Sequence, residues 1–258
     1  AGAAGGGAMS TWIFLRGLTR ESRHWGDFPV TFRSVIPDAD IVALDLPGNG
    51  RLNRMQSPTS VAAMAEHCRA ELLARSIRPP YHLLAMSLGA MVAVAWADRH
   101  PEELAGCVLI STSLRPFSPF YQRLQPGNYP ALLKLALPCG SAAAREATIL
   151  RITSKLAGNR ARIVEAWSAW RHERPVSRAN ALRQLWAASR YCAPTHQPPV
   201  RMLFLAGAGD TLVDPRCSRR LARLWRADFA EHPGAGHDIP LDDGAWVALR
   251  VRDWLRRA

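Results

Sequence analysis

Short apolar runs alternate with longer segments of mixed polarity along most of this chain. The almost continuous apolar character of the short runs predicts strands that are buried on both faces. The predicted strands are Thr11–Leu15, Ile41–Leu44, Tyr81–Ala85, Cys107–Ile110, Val200–Leu205 and Asp228–Glu231. Because helical segments separate these runs, the sequence predicts an α/β fold with a mainly parallel, doubly wound sheet of about six strands.

Helices are predicted in the connections between the strands. Ser57 and Pro58 are typical of a helix start, with an N-cap residue followed by proline in the first turn. The helix that follows Tyr81–Ala85 ends before Pro101, because proline cannot continue it. In the last predicted helix, Trp246, Leu249 and Trp254 are expected to face the core. The main helices predicted for the connections are Gly26–Arg33, Ser57–Arg75, Pro215–Arg226 and Asp242–Arg257.

The alternation of strands and helices stops between about Leu114 and Pro199. Proline-rich stretches border this segment, and the helices predicted within it are Ala142–Leu156, Arg160–His172 and Ser177–Tyr191. We therefore expect a core formed by residues 9–113 and 200–258, carrying a helical insertion of residues 114–199. Residues 1–8 contain only Gly and Ala, resemble a vector-derived remnant and are left out of the fold prediction.

One junction between a strand and a helix carries candidate chemistry. Ser87 lies at this junction, with the small residues Ala85 and Gly89 two positions to either side. A chain that turns from strand to helix within one residue needs strained backbone angles and small neighbours, as in a nucleophile elbow. The turn places the hydroxyl at a helix N-terminus, where backbone N–H groups favour developing negative charge. Ser87 is therefore the candidate nucleophile.

A serine nucleophile needs a base and a carboxylate that orients the base. His237 lies in a glycine-flanked loop and is the candidate base. Asp210 is the candidate carboxylate because it directly follows a predicted strand and a turn of small residues. The rival groups are Asp214, Asp238 and His232. Asp214 is expected to cap the next helix, and Pro233 disfavours His232.

The elbow and the order Ser, Asp, His resemble the serine hydrolase branch of the α/β-hydrolase superfamily, from about Trp12 to Trp254 outside the middle segment. Serine at position 87 argues against the dehalogenase and epoxide-hydrolase branches, which have Asp there. The resemblance implies an oxyanion hole formed by the backbone N–H groups of Leu18 and Leu88. Arg16 stands where the family commonly has His, and it either orients an anionic substrate group or holds its loop.

The resemblance also implies that the middle segment is a helical cap over the active site. The residues expected to line a substrate pocket are Arg16, Trp25, Phe117, Tyr121, Trp167 and Trp170. The alternative for each of them is a purely structural role, in most cases packing the cap onto the core. His24, beside Trp25, is expected to form hydrogen bonds within its loop rather than to catalyse.

Charge and cysteine content add limits on partners and setting. The formal net charge is +12, and Lys134 and Lys155 are the only lysines. Either coding bias in a GC-rich genome or a basic face for an acidic partner, such as an acyl carrier protein or an anionic substrate, accounts for the arginines. The five cysteines include no CxxC pair and predict neither a metal site nor a disulfide framework. We expect a cytoplasmic protein without cofactor, metal, nucleic-acid partner or membrane span.

Together these features predict a serine hydrolase that cleaves a carboxylic ester or thioester, of the carboxylesterase or thioesterase type. The capped, cofactor-free organisation loosely resembles the pimeloyl-carrier-protein methyl esterases of biotin synthesis. Two alternatives stay open. One is a carbon–carbon bond hydrolase with the same triad, which dienol-type substrates would reveal. The other is a ligand-binding member with negligible turnover, which a ligand would stabilise without being consumed.

Overall fold

Six strands form one parallel sheet in a computed structural model that describes residues 9–136 and 140–257. The strands are β1 (Ser10–Leu15), β2 (Ala39–Leu44), β3 (Tyr81–Met86), β4 (Leu104–Ile110), β5 (Met202–Gly207) and β6 (Asp228–His232). Their order is β2-β1-β3-β4-β5-β6, and each neighbouring pair is parallel. The predicted fold class is therefore confirmed. Residues 1–8 and Cys139 lie outside the described residues.

Helices cover both faces of the sheet and fill the long connection between β4 and β5. In chain order they are α1 (Phe28–Val35), α2 (Val61–Ala74), α3 (Leu88–Arg99), α4 (Phe120–Arg123), α5 (Tyr129–Ala136), α6 (Ala142–Thr153), α7 (Arg160–Glu173), α8 (Arg178–Arg190), α9 (Arg216–Trp225) and α10 (Ile239–Leu255). Among the described residues 9–136 and 140–257, no helix is both long and apolar enough to cross a membrane.

Alternate side chains of the strands enter two separate cores. In β1, Ile13 and Leu15 join residues of α2, α3 and α9 on one face, and Trp12 and Phe14 join residues of α1 and α10 on the other. All four of these side chains are fully buried. Burial on both faces explains why the strands are almost continuously apolar in sequence.

The insertion differs in detail from its prediction. The short helices α4 and α5 lie within the proline-rich stretch that precedes α6 and were not predicted. Helix α6 ends at Thr153 rather than near Leu156, because the following residues turn towards a carboxylate of α10. Helices α6 and α7 pack against each other.

The last helix begins earlier than predicted. Helix α10 starts at Ile239, three residues before Asp242, and contains a kink at Asp243 with φ −154° and ψ 78°. Trp254 is buried as predicted, whereas Trp246 and Leu249 are only half-buried. The core-facing side of the helix is completed by Val247, Ala248 and Val251.

Candidate active site

Ser87 occupies the corner between β3 and α3. Its backbone has φ 55° and ψ −116°, an unfavourable conformation for a residue with a Cβ, so surrounding contacts must hold it. Its N–H donates to the carbonyl of Ile110, at the end of β4, over 3.0 Å. A Cβ placed on Gly89 would lie 2.5 Å from the carbonyl oxygen of Leu15, so only glycine lets α3 approach β1 this closely. The corner has the geometry of a nucleophile elbow.

His237 and Asp210 form a buried pair. Nδ1 of His237 lies 2.7 Å from Oδ2 of Asp210. Because a carboxylate can only accept, Nδ1 carries a proton, and in the neutral imidazole Nε2 has the lone pair that a base needs. The second oxygen, Oδ1, accepts the N–H groups of Leu212 and Val213 at 2.9 Å each. Asp210 is thus fixed on one side and orients the imidazole on the other.

The histidine loop, residues 232–238, is attached beside the strand that carries Ser87. Ser87 follows β3 and Ser111 follows β4, and these strands pair with Met86 opposite Ile110. The Ser111 hydroxyl donates to the carbonyl of His237 over 2.8 Å. Among the described residues, no hydrogen bond joins Ser87 Oγ to His237 Nε2. In enzymes without bound substrate such bonds are often long.

Each rival group already has another partner. Asp214 accepts hydrogen bonds from the guanidinium and backbone N–H of Arg216, and the side-chain hydrogen bond in particular holds the pKa of Asp214 below its ordinary value. His232 Nδ1 accepts the N–H groups of Gly234 and Ala235 at 3.1 and 2.8 Å. His232 Nε2 in turn lies 3.2 Å from Oδ2 of Asp243. Of the two histidine–carboxylate pairs compared, only His237–Asp210 keeps an imidazole nitrogen without a hydrogen-bond partner among the described residues.

The loop after β1, residues 16–20, lies directly against Ser87. A Cβ on Gly17 would lie 3.1 Å from Ser87 Cβ and 3.5 Å from its Oγ. In the part of the chain that the structure describes, the N–H of Leu18 has no hydrogen-bond partner. Leu88 is the first residue of α3, so its N–H has no acceptor within the helix. Among the described residues, the β1 loop and the first turn of α3 thus each carry a backbone donor without a hydrogen-bond partner next to Ser87.

Arg16 joins this β1 loop to the histidine loop. Its guanidinium donates to both carboxylate oxygens of Asp238, at 3.1 and 2.5 Å, and lies 4.7 Å from the ring centroid of Trp25. Arg16 and Asp238 are each 2% exposed. Of the two roles considered for Arg16, these contacts support the holding of the loop, because Asp238 already neutralises its charge.

Of the aromatic residues expected at the pocket, two pack against core side chains and one is exposed. Trp25 is buried in the core and packs against Phe28. Phe117 is half-buried, with its ring edge against Trp225. Tyr121 is 50% exposed on α4. For Trp25 and Phe117, these contacts match the alternative of structural packing.

The other two aromatic candidates belong to a buried ionic cluster between the β1 loop and the insertion. Arg20 donates to Glu146 of α6 over 2.8 Å and lies over the ring of Trp167, with 4.3 Å between its Cζ and the ring centroid. It also donates to Nε2 of His24 over 2.9 Å. Trp167 and Trp170 both contact the His24 ring. Burial, with Arg20 adding to it, holds the pKa of His24 well below its ordinary value.

Sequence reasoning missed the carboxylate that joins the insertion to the histidine loop. Asp242 accepts the N–H of Gly236 over 2.7 Å and the hydroxyl of Ser154 over 2.5 Å. It also accepts the N–H groups of Leu156 and Ala157 at 3.1 Å each. An Asp in the first turn of a helix is a common feature, so nothing in the residues around Asp242 indicates this role.

Other cavities and acidic groups lie apart from these residues. A groove of about 730 Å³ lies between α6 and α7, and a cleft of about 380 Å³ lies between α2, α3 and α8. Neither is lined by Ser87, Asp210 or His237. Of the described residues, His100, Glu102 and Glu103 have side-chain atoms within 4.8 Å of one another. Glu103 is already held by Arg69, so this group has no vacant ligand set.

Comparison with known proteins places this chain in a family. Residues 12–250 match the model described as the alpha/beta hydrolase family. The chain belongs to that family, and its broad class is hydrolase. The "Biotin biosynthesis bifunctional protein BioHC" of Teredinibacter turnerae is 26% identical over 269 aligned positions, which cover 96% of this chain. The match covers 45% of that relative, so the chain spans less than half of its length.

Solved structures agree on the fold. A thermophilic esterase from Thermogutta terrifontis has a TM-score of 0.75 at 18% identity, covering 97% of this chain and 91% of the other. A hydrolase from Pseudomonas aeruginosa has a TM-score of 0.74 at 19% identity, and the match covers 99% of this chain and 92% of the other. A meta-cleavage product hydrolase (CumD) has a TM-score of 0.76 at 17% identity, and the match covers 96% of this chain and 92% of the other. At these identities the likeness extends to the fold alone.

The Arg16–Asp238 pair generates a prediction about stability. Replacing Arg16 by Met leaves a buried carboxylate without a partner and should lower the free energy of unfolding by about 3–5 kcal/mol. The double variant Arg16→Met with Asp238→Leu should recover most of that loss. Urea unfolding at pH 7 measures both. Arg219→Met, at an exposed pair with Glu231, is the control. Equal losses in the single and double variants would contradict the prediction.

His24 generates a prediction about pH. Its lowered pKa means that below about pH 6.5 the unfolded chain binds a proton that the folded protein does not, so stability falls as the pH falls. His24→Gln keeps an acceptor for Arg20 and removes the titration, and should make this fall shallower. Denaturant unfolding at pH 7 and pH 5 measures the difference. His172→Gln, at an exposed residue, should behave as wild type. A fall as steep in His24→Gln as in wild type would contradict the prediction.

Proposed function

We propose that this protein is a serine hydrolase that cleaves a carboxylic ester or thioester. Ser87 is the nucleophile, His237 the base and Asp210 the carboxylate that orients it. The observation that carries the proposal is the strained corner at Ser87 combined with a buried His237–Asp210 pair, whose histidine is attached to Ser111 beside that corner.

The proposed reaction proceeds through an acyl-enzyme. His237 Nε2 takes the hydroxyl proton as Ser87 Oγ attacks the carbonyl carbon of the substrate. The oxyanion of the tetrahedral intermediate accepts hydrogen bonds from the N–H groups of Leu18 and Leu88. The C–O or C–S bond breaks, and the leaving group takes the proton from His237. A water molecule, deprotonated by His237, then attacks the acyl-enzyme. His237 returns that proton to Ser87 Oγ as the ester bond to Ser87 breaks and the acid is released. Asp210 stabilises the imidazolium in both steps.

We infer that the insertion of residues 114–199 acts as a cap. It contacts both loops of the candidate site. Glu146 of α6 binds Arg20 of the β1 loop, and the carbonyl of Thr153 accepts the N–H of Asp238 over 2.8 Å. A segment held to both loops is suited to excluding water from the acyl-enzyme. The core would then be formed by residues 9–113 and 200–258.

For the substrate, we propose an acyl ester or thioester, with one presented by an acidic carrier protein as the case to test first. Support comes from the net charge of +12, from the loose resemblance to pimeloyl-carrier-protein methyl esterases, and from the name of the Teredinibacter relative. Carrier recognition through charge predicts rates that fall as salt screens the interaction.

Turnover of p-nitrophenyl esters of graded chain length tests the reaction. The variants Ser87→Ala, His237→Gln and Asp210→Asn should each lower kcat by at least about 10³-fold, because triad residues act as a unit. Asp214→Asn, at the rival carboxylate, should retain kcat. Circular dichroism verifies that each variant is folded.

Three outcomes of this assay, extended to dienol-type substrates and to ligand-dependent melting, would contradict the proposal. A Ser87→Ala variant that keeps its rate would exclude Ser87 as nucleophile. Turnover of dienol-type substrates without ester turnover would favour the carbon–carbon hydrolase. Ligand-dependent stabilisation with no turnover would favour a binding protein. A methyl ester on an acyl carrier protein whose hydrolysis is indifferent to salt would remove the carrier proposal alone.

A further inference from the structure

Helix α8 of the insertion turns polar side chains inward. Asn180 and Gln184, one turn apart, are 6% and 0% exposed. Leu182 and Trp186 on the same helix are 63% and 55% exposed. Burying an amide is unfavourable unless its hydrogen bonds are satisfied, so the inward amides must meet specific partners.

Gln184 meets partners from two loops. Its Oε1 accepts the backbone N–H of Thr19 over 2.9 Å. Its Nε2 donates to Asn49 Oδ1 over 2.8 Å and to Ser57 Oγ over 2.9 Å. Asn49 in turn donates to the carbonyl of Arg20 over 2.9 Å. The amide is satisfied at both ends and is fixed in one orientation.

These contacts hold the turn that contains Leu18. Thr19 has φ 56°, a left-handed conformation that is unfavourable for a β-branched residue. Within the turn, the N–H of Arg20 donates to the carbonyl of Gly17 over 3.2 Å. That carbonyl belongs to the same planar peptide unit as the N–H of Leu18. Gln184 and Asn49 therefore fix the peptide units on the C-terminal side of the candidate oxyanion donor.

We propose that Gln184 is a positioning residue for the oxyanion hole. By holding Thr19 in its strained conformation, it keeps the Leu18 N–H directed at the position where the substrate oxyanion forms. The insertion then supports the catalytic geometry as well as covering the site. The inference rests on the proposed serine hydrolase function and assigns a role within it to a residue of α8.

Asn180 provides a matched control on the same helix. Its Oδ1 accepts the N–H of Ser57 over 2.9 Å and its Nδ2 donates to the carbonyl of Met55 over 2.9 Å. Among the described residues, it forms no hydrogen bond to the β1 loop. Gln184→Met and Asn180→Leu each replace a buried amide by an apolar group of similar size. Both should lower stability, but only Gln184→Met removes the contact to Thr19.

The test compares kcat, KM and melting temperature for wild type and both variants, well below their melting temperatures, on a p-nitrophenyl ester. Gln184→Met should lower kcat by about 10- to 100-fold with little change in KM, less than the loss of a whole oxyanion donor. Its rate of labelling by a fluorophosphonate should fall in parallel. Asn180→Leu should keep kcat within about twofold of wild type, because no oxyanion donor is displaced.

Equal kcat values in the two variants, whether both unchanged or both lowered, would overturn the role of Gln184. If Gln184→Met fails to fold, Gln184→Asn keeps the polarity but withdraws the acceptor from Thr19, and should lower kcat in the same direction. A Gln184→Asn variant with wild-type kcat would likewise overturn the role. Absence of Ser87-dependent turnover in wild type would refute the proposed function and this inference together. Wild-type turnover with unaffected Gln184 variants would refute this inference alone.

Discussion

A residue with a Cβ at positive φ carries a conformational strain free energy of about 1–3 kcal/mol relative to a relaxed backbone. The surrounding structure has to hold the residue in that conformation. Ser87 is in this position, and much of the molecule contributes to holding it. Its N–H is bonded to the end of β4, Gly17 packs against its side chain, and the absence of a side chain at Gly89 allows α3 to lie against β1. The double core of the parallel sheet supplies the rigidity that this corner requires.

The loops around Ser87 are joined by contacts between residues far apart in sequence. Arg16 and Asp238 are 222 residues apart, Thr19 and Gln184 are 165 apart, and Ser111 and His237 are 126 apart. Each pair involves a buried polar or charged group, which is unfavourable to bury alone and favourable only in its specific geometry. Because each buried group is stable only when its partner is correctly placed, these contacts fix the loops in one conformation.

Local signals explain which features could be predicted. The strands could be predicted from apolar runs, and the candidate role of Ser87 from its flanking small residues, because both signals lie in neighbouring residues of the sequence. Arg16, Asp238 and Asp242 carried no local signal of their partners, since nothing in a single sequence pairs residues so distant. Helix α8 contradicts simple periodicity, because it exposes Leu182 and Trp186 and buries Gln184. The early start of α10 was not predicted. Pro240 lies inside the first turn of this helix, a position where proline is tolerated.

The central claim is that Ser87 is an activated nucleophile beside a preorganised oxyanion site. Labelling of wild type and Ser87→Ala with a fluorophosphonate, read by intact mass, tests it most directly, because the reagent needs both an activated hydroxyl and oxyanion donors. We predict a single adduct on wild type that is absent from Ser87→Ala. No adduct on folded wild-type protein, or an adduct that persists in Ser87→Ala, would contradict the claim.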